Sequence, residues 1–495
     1  MVRPFIYRDG NRMPFRPNQI IAASVFAFVF IWFTYTSVTG TSSPKPKKEP
    51  PSDPEIRPID DPTAVRSVLG HHGIKGIVNP DIQMARIHVS VTQDSVPALP
   101  LSQPLDIRLP SSTQFNISDE FSMPPEPAST SLRISYLPQS QNDASEFIFG
   151  VATTYERLYD SLDTMSHWLS NTNTRLIAAM EPSLDADLPT RVLEKAKSLH
   201  IPLGTFDSPY QFLDRYFSLI QVLHQHRLPS TKWYVLIDDD TFFLDFPRMV
   251  STITTKYNSS ESYYIGALTE DFQQMSNWGY MAYGGGGVFL SAPLLEQLLP
   301  NWDACYSHRN TGDRMLAECI YQHTTTKFTW EHNLHQLDLH GDQSGFYEAL
   351  RPQPLSVHHW KGADFKFQHD MRNLSLVSSV CGSSCLLQKF RFANDWILTN
   401  GYSIVKYSGE DMRHRDIGTD ISMERTWEYY WPGAGHIHFE HTLGPIRKTD
   451  EDGKISFRME SALSEQDGRR VRQLYVKRKT GGEVEGVVEV TWSSG

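Results

Sequence analysis

The run Trp233-Tyr-Val-Leu-Ile-Asp238-Asp239-Asp240-Thr-Phe-Phe243 carries an apolar segment into three consecutive carboxylates. Such charges repel one another and are costly to desolvate unless a cation shares them. A divalent metal bound there could hold a diphosphate; without one, the same residues would form a solvated acidic turn. Further on, Tyr283-Gly284-Gly285-Gly286-Gly287-Val-Phe-Leu-Ser291 reads as a glycine-rich loop that allows close backbone approach and positive φ. Gly312-Asp313 then sets an acid at the start of a helical pattern, where it can cap the helix or act as a base. Finally, Leu355-Ser-Val-His358-His359-Trp360-Lys361 ends a short strand in two imidazoles, common partners of carboxylates around a divalent ion.

The elements that must position these groups follow from hydrophobic patterning. Residues 234–237 are apolar without alternation, which suits a strand buried on both faces. In open α/β sheets ligands gather at the carboxyl ends of such strands. Residues 147–154 and 175–180 read as strands, and 155–170, 190–199 and 210–226 as helices. The first helix carries Leu158, Leu162, Met165 and Leu169 on one face. This alternation predicts an α/β fold, a doubly wound sheet with helices on both faces. The first strand lacks a following G-x-G-x-x-G, and no G-x-x-x-x-G-K-[ST] occurs, so neither a dinucleotide site nor a P-loop is indicated.

Outside this unit the texture changes. Residues 39–145 are rich in Pro, Ser and acids and read as a stem, its later part able to add a strand or two to the next domain. Residues 389–495 read as an accessory β-rich region, with strands at 396–399, 403–407, 436–441, 455–459, 471–477 and 484–492. His436, His438 and His441 alternate along one of these and read as surface or packing residues rather than a second metal site.

A chain of 495 residues accommodates two or three domains. Its net charge of -11, without a basic stripe, argues against a nucleic-acid partner. Ile20–Val38 is uncharged and just long enough to cross a bilayer as a signal-anchor helix; a cleaved signal peptide is the competing reading, but no A-x-A site follows. Arginines 3, 8, 12 and 16 precede it and lysines 45, 47 and 48 follow, a slight bias toward a cytosolic tail over residues 1–19. The sequons at Asn116, Asn258 and Asn373 are usable only if the C-terminal part is lumenal. Cys305, Cys319, Cys381 and Cys385 suit two bridges, most economically 305–319 and 381–385, with buried free thiols as the alternative.

The order of these motifs, from 146 to 361, resembles the Fringe-like glycosyltransferases of family 31, most closely fungal members with an extra C-terminal region. The resemblance implies a GT-A fold (Rossmann-like, with a doubly wound mixed sheet) over residues 146–388, and a nucleotide-sugar donor, usually a UDP-sugar. It also implies a glycan or glycoprotein acceptor, inversion at the anomeric carbon, and Mn²⁺ or another divalent cation. Carried over by motif, Asp240 and His358 would bind the metal. Asp238, Asp239, Thr153, Thr154, Gly285, Gly286 and Gly287 would line the donor site, and Asp313 would deprotonate the acceptor hydroxyl. A Golgi or other secretory-pathway membrane is the implied location, single-pass type II, with the catalytic domain lumenal. The chain departs from Fringe proper at 334–337, where His335 rivals His358 for the metal, and at Gly312-Asp313, where Fringe shows two acids. A catalytically inactive lumenal carbohydrate-binding protein on the same fold is the alternative. A hydrolase with paired carboxylates is a third reading, and it lacks an evident second acid.

Overall fold

The computed structural model describes residues 65–94, 102–119, 123–135, 143–306, 310–339, 343–361, 369–407 and 454–494, with short strands between 423 and 447. The apolar run at 20–38 and the side chains of His436, His438 and His441 lie outside the described residues. Among the described residues no helix is long and apolar enough to cross a membrane.

The unit that carries the acidic cluster is a seven-stranded mixed sheet. Its strands are β1 (Phe147–Thr154), β2 (Arg175–Glu181), β3 (Leu203–Asp207), β4 (Trp233–Ile237), β5 (Tyr264–Ala267), β6 (Tyr283–Ser291) and β7 (Phe328–Trp330), in the order β7-β5-β6-β4-β1-β2-β3. β1 to β4 run parallel, β6 is antiparallel to both its neighbours, and β5 is parallel to β7. Successive residues of a strand face opposite sides, and β1 shows the consequence. Phe147, Phe149 and Val151 join one core with Leu158, Leu162 and Met165, whereas Ile148 and Ala152 join another with Phe217, Ile220 and Leu316. Both faces are covered, so β4 is apolar throughout and buried at every position.

The expected glycine-rich loop is instead strand β6, buried along its whole length. The segment expected to be a stem is also folded over much of its course. Strand Asp81–Asp94 pairs in parallel with Val484–Ser494, and Thr113–Asn116 and Ala128–Ser135 pair with Asp81–Asp94 in turn. These strands and those at Ser102–Pro104, Lys389–Arg391, Ile397–Thr399, Ser403–Tyr407, Lys454–Glu465 and Arg470–Arg478 form one second sheet. The β-rich region thus draws on both sides of the sequence rather than on 389–495 alone. Its contact with the first unit includes buried Glu348, which accepts hydrogen bonds from Lys454 Nζ at 2.6 Å and Ser403 Oγ at 2.8 Å.

Both expected bridges form. Cys305–Cys319 ties helix Trp302–Tyr306 to helix Gly312–His323, and Cys381–Cys385 closes a short turn; their Cα atoms lie 5.2 and 5.9 Å apart.

Glu489 lies at the seam of the second sheet. It is fully buried and accepts from Arg86 Nε at 2.6 Å and Arg472 Nε at 2.7 Å. Burial alone would raise its pKa, but Arg472 and Arg86 overcome this and hold it below the usual range. A depressed carboxylate stabilises above its unfolded pKa and loses that contribution as pH falls through its folded value. Glu489→Ala removes the carboxylate from Arg86 and one of two from Arg472, which keeps Glu465 at 3.2 Å, and should lower unfolding free energy by about 3–5 kcal/mol. Denaturant melts at pH 7 should show this loss, and the gap from wild type should narrow on acidification below the ordinary carboxylate range.

Candidate active site

The three acids follow directly on β4, and the turn they form is tied down by one hydroxyl. Thr241 Oγ1 accepts from the Asp238 N–H at 3.0 Å and donates to the Gly285 carbonyl at 2.8 Å. Within that turn the carboxylates divide. Asp239 accepts both guanidinium arms of Arg157, Nε at 2.6 Å and Nη2 at 2.5 Å, and also the Thr153 hydroxyl. Such a bidentate pair fixes orientation as well as charge.

Asp238 and Asp240 point toward His358, whose Nε2 is 2.9 Å from Asp240 Oδ1 and 3.4 Å from Asp238 Oδ2. The other ring nitrogen, Nδ1, is 3.1 Å from the Gln336 carbonyl, to which it donates, so Nε2 faces the carboxylates. Burial opposes charge on this ring, yet Asp240 and Asp238 hold its pKa well above the ordinary value. Burial likewise opposes ionisation of Asp240, but the His358 charge and hydrogen bond hold its pKa below the usual range. One ligand atom from each of Asp238, Asp240 and His358 lies within 4.8 Å of the others. Two carboxylates and an imidazole suit a divalent first-row metal, and the Gln336 carbonyl is the kind of outer partner that orients a metal-bound histidine.

Strand β6 brings the pieces together because it lacks side chains from Gly284 to Gly287. A Cβ on Gly285 would lie 2.1 Å from His358 Cε1, one on Gly284 2.8 Å from the Tyr216 hydroxyl, and one on Gly286 2.3 Å from Ala267 Cβ. Of the four, only Gly287 has positive φ, at 93°. Gly286 donates to Gln336 Oε1 at 2.9 Å, and its carbonyl accepts from Ser356 Oγ at 2.6 Å.

Asp313 stands in the first turn of helix Gly312–His323, with Thr311 at the cap position. Its carboxylate accepts from the Arg314 N–H at 2.8 Å and faces the Gly284 N–H at 3.5 Å. Burial raises its pKa, and the charge of Asp238 adds to this. A carboxyl raised in this way is a better proton acceptor than an exposed one.

His335 is not part of the cluster. Its Nδ1 lies 3.1 Å from Glu270 Oε1, and its ring packs edge-on to Phe346 at 4.8 Å. Thr154 caps helix Tyr155–Leu169, accepting the Arg157 N–H at 3.3 Å. Sequence reasoning missed Arg157, Gln336, Tyr216 and Lys361. Lys361 donates to Ser161 Oγ at 2.8 Å and to the Arg157 carbonyl at 3.2 Å. Three acids in a row do signal that cations must converge, but nothing local to the sequence says which. Among the described residues the buried Tyr216 hydroxyl has no hydrogen-bond partner.

The comparisons with known proteins give partial matches. A family model described as a protein of unknown function, DUF604, matches residues 273–485. The chain is 23% identical over 145 residues to chondroitin sulfate synthase 3 of Homo sapiens, covering 28% of this chain and 16% of that protein. It is 24% identical over 120 residues to a beta-1,3-glucosyltransferase of Mus musculus, covering 24% of each. The chain therefore spans a quarter or less of the curated relatives it matches. Solved structures with partial overlap include a mannosyltransferase of Pyrobaculum calidifontis in complex with GDP-Man and Mn²⁺ (12% identity, TM-score 0.28, 38% of this chain and 55% of that one). Another is the galactosyltransferase LgtC in complex with donor and acceptor sugar analogues (10% identity, TM-score 0.29, 44% and 88%).

The Gly285 contact generates a direct test. Gly285→Ala should displace the His358 ring while leaving both carboxylates in place. Mn²⁺ affinity, followed by the free-ion electron paramagnetic resonance signal, should fall about 10–100-fold, the size of losses seen when support for a ligand is removed. Unchanged affinity in a folded variant would show that His358 holds no metal.

Proposed function

We propose that this chain is an inverting glycosyltransferase of GT-A type that moves a sugar from a nucleotide-sugar, a UDP-sugar, to a glycan or glycoprotein hydroxyl. The observation that carries the reading is the convergence of Asp238, Asp240 and His358 at the carboxyl end of β4, with Asp313 reaching the same stretch of β6. Sequence similarity to chondroitin sulfate synthase 3 and to a beta-1,3-glucosyltransferase supports it.

Asp238, Asp240 and His358 would hold the divalent cation. Mn²⁺, or another such ion, supplies the positive charge that stabilises a diphosphate as a leaving group. Arg157 neutralises Asp239, so that the third acid adds no net repulsion to an incoming diphosphate. Thr153 is held by Asp239, and Thr154 caps the adjoining helix; both lie at the end of β1, where the nucleotide would lie. Asp313 takes the proton from the acceptor hydroxyl as the new glycosidic bond forms opposite the leaving group. Inversion by single displacement needs this one base and no nucleophilic carboxylate. The run at 20–38 would anchor the chain in a membrane of the secretory pathway, with the catalytic part lumenal.

Nucleotide release from a panel of UDP-sugars, assayed with the full chain, tests the proposal. Release with one donor should require Mn²⁺, stop with EDTA, and vanish in Asp240→Ala. Asp313→Asn should keep donor affinity and lower turnover to acceptor by about 10²–10⁴-fold. Donor binding without turnover over varied acceptors would instead identify a carbohydrate-binding protein. Failure to bind any nucleotide-sugar would remove the donor site from the account.

A further inference from the structure

The structure has a second polar hollow on the same edge of the sheet, and sugar transfer as proposed does not use it. It encloses about 230 Å³. One wall is the ring pair Trp330 and His332, whose centroids lie 4.1 Å apart with 40° between their planes. Glu270, Asn333, His335 and Arg351 supply the remaining polar lining. Trp330 is half-buried and His332 exposed, so the aromatic wall is open to solvent on one side.

The loop that presents these rings is firmly held. The Glu331 N–H donates to the Gly266 carbonyl at 3.0 Å, extending the β5–β7 pairing by one residue. The Glu331 carboxylate turns inward and accepts from Lys256 Nζ at 2.6 Å and Tyr257 Oη at 2.8 Å. Glu270 is equally fixed, accepting from the Leu337 N–H at 2.6 Å and facing His335 Nδ1 at 3.1 Å. A carboxylate and a guanidinium share the lining, so the hollow has no excess of either charge. That balance favours a neutral, hydroxyl-rich ligand over an ion. An aromatic face with hydrogen-bonding groups around it offers such a ligand both an apolar surface and polar contacts, as small-molecule sites generally do.

Its position links it to the acidic cluster. β4 and β5 point their carboxyl ends the same way, since each is antiparallel to the β6 that separates them. Two strand spacings amount to about 10 Å. His335 lines the hollow, and the next residue, Gln336, bonds both Gly286 and His358. One residue thus divides the two sites.

We infer that the hollow beneath Trp330 and His332 is an acceptor subsite. It takes one neutral pyranose ring of the acceptor glycan, beyond the ring that receives the new sugar. This rests on the glycosyl-transfer reading for the word acceptor, whereas binding of a saccharide by the hollow does not depend on it.

Saturation-transfer difference NMR on the full chain tests it, with the methyl glycosides of lactose, N-acetyllactosamine, chitobiose, cellobiose and mannobiose as probes. At least one disaccharide should receive saturation from the wild type and equally from Asp240→Ala. The apparent affinity should drop about three- to tenfold in Trp330→Ala, the size of one lost aromatic contact. His332→Ala, at an exposed position, should show the same direction of change and keeps the test open if Trp330→Ala does not fold. No transfer to any of the five, or transfer unchanged in a folded Trp330→Ala and in His332→Ala, would overturn the subsite. UDP with Mn²⁺ is measured on the same samples. If the wild type binds a disaccharide through Trp330 but not UDP, the hollow stands as a saccharide site and the transferase reading falls.

Discussion

Three adjacent carboxylates at a half-buried strand end pose a charge problem, and much of the surrounding structure is its solution. The turn sends Asp239 one way and its two neighbours the other. Arg157 meets the first and His358 meets the second pair, so that no carboxylate faces the interior uncompensated. The cost of leaving any one unpaired explains why groups from β1, from the helix after it, and from beyond β7 all arrive at this point. The imidazole is the partner that can be exchanged. A charged ring between two acids and a neutral ring sharing a cation with them are electrostatically related states, and the second is the one the proposed diphosphate site would require.

Absence of side chains does as much as their presence. Gly284, Gly285 and Gly286 lie against Tyr216, His358 and Ala267 respectively, three contacts from three different elements. Gly312 meets Tyr216 from the other side, where a Cβ would lie 2.7 Å from Tyr216 Cβ. The helix bearing Asp313 can therefore approach the helix Phe212–Gln225 closely, and the Cys305–Cys319 bridge ties it to its other neighbour. The distance between Asp313 and the Asp238–Asp240–His358 cluster, the base and leaving-group site of the proposed reaction, is set by these close backbone contacts rather than by flexible side chains.

The alternating core pattern of the first sheet was legible because each strand and its covering helix are local in sequence. Residues 147–154 and 233–237, and the acids that follow, could be placed from apolar runs alone. The glycines were visible, but their reason was not. A run of four signals a turn, whereas three of them are dictated by what packs across a strand. The family resemblance favoured His358 over His335, but the residues around them did not, since both follow apolar residues. Only the tertiary partners, Glu270 for one and Asp240 for the other, separate them. The strand at 81–94 was hidden for a related reason. Its alternation is clear from Ile87 to Val91, but its partner lies far along the chain, and no local pattern announces a parallel neighbour.

That last pairing has a consequence for how the protein is made. Arg86 and Glu489 are 403 residues apart in sequence yet bonded in the second sheet. At synthesis rates of about 5–20 residues per second, the first strand emerges roughly 20–80 s before the strand it must pair with. Through that interval one hydrogen-bonding edge of the strand lacks its native partner. Each newly made molecule therefore passes through a period in which its β-sheet is open at the centre. That edge stays open until residues 484–494 arrive.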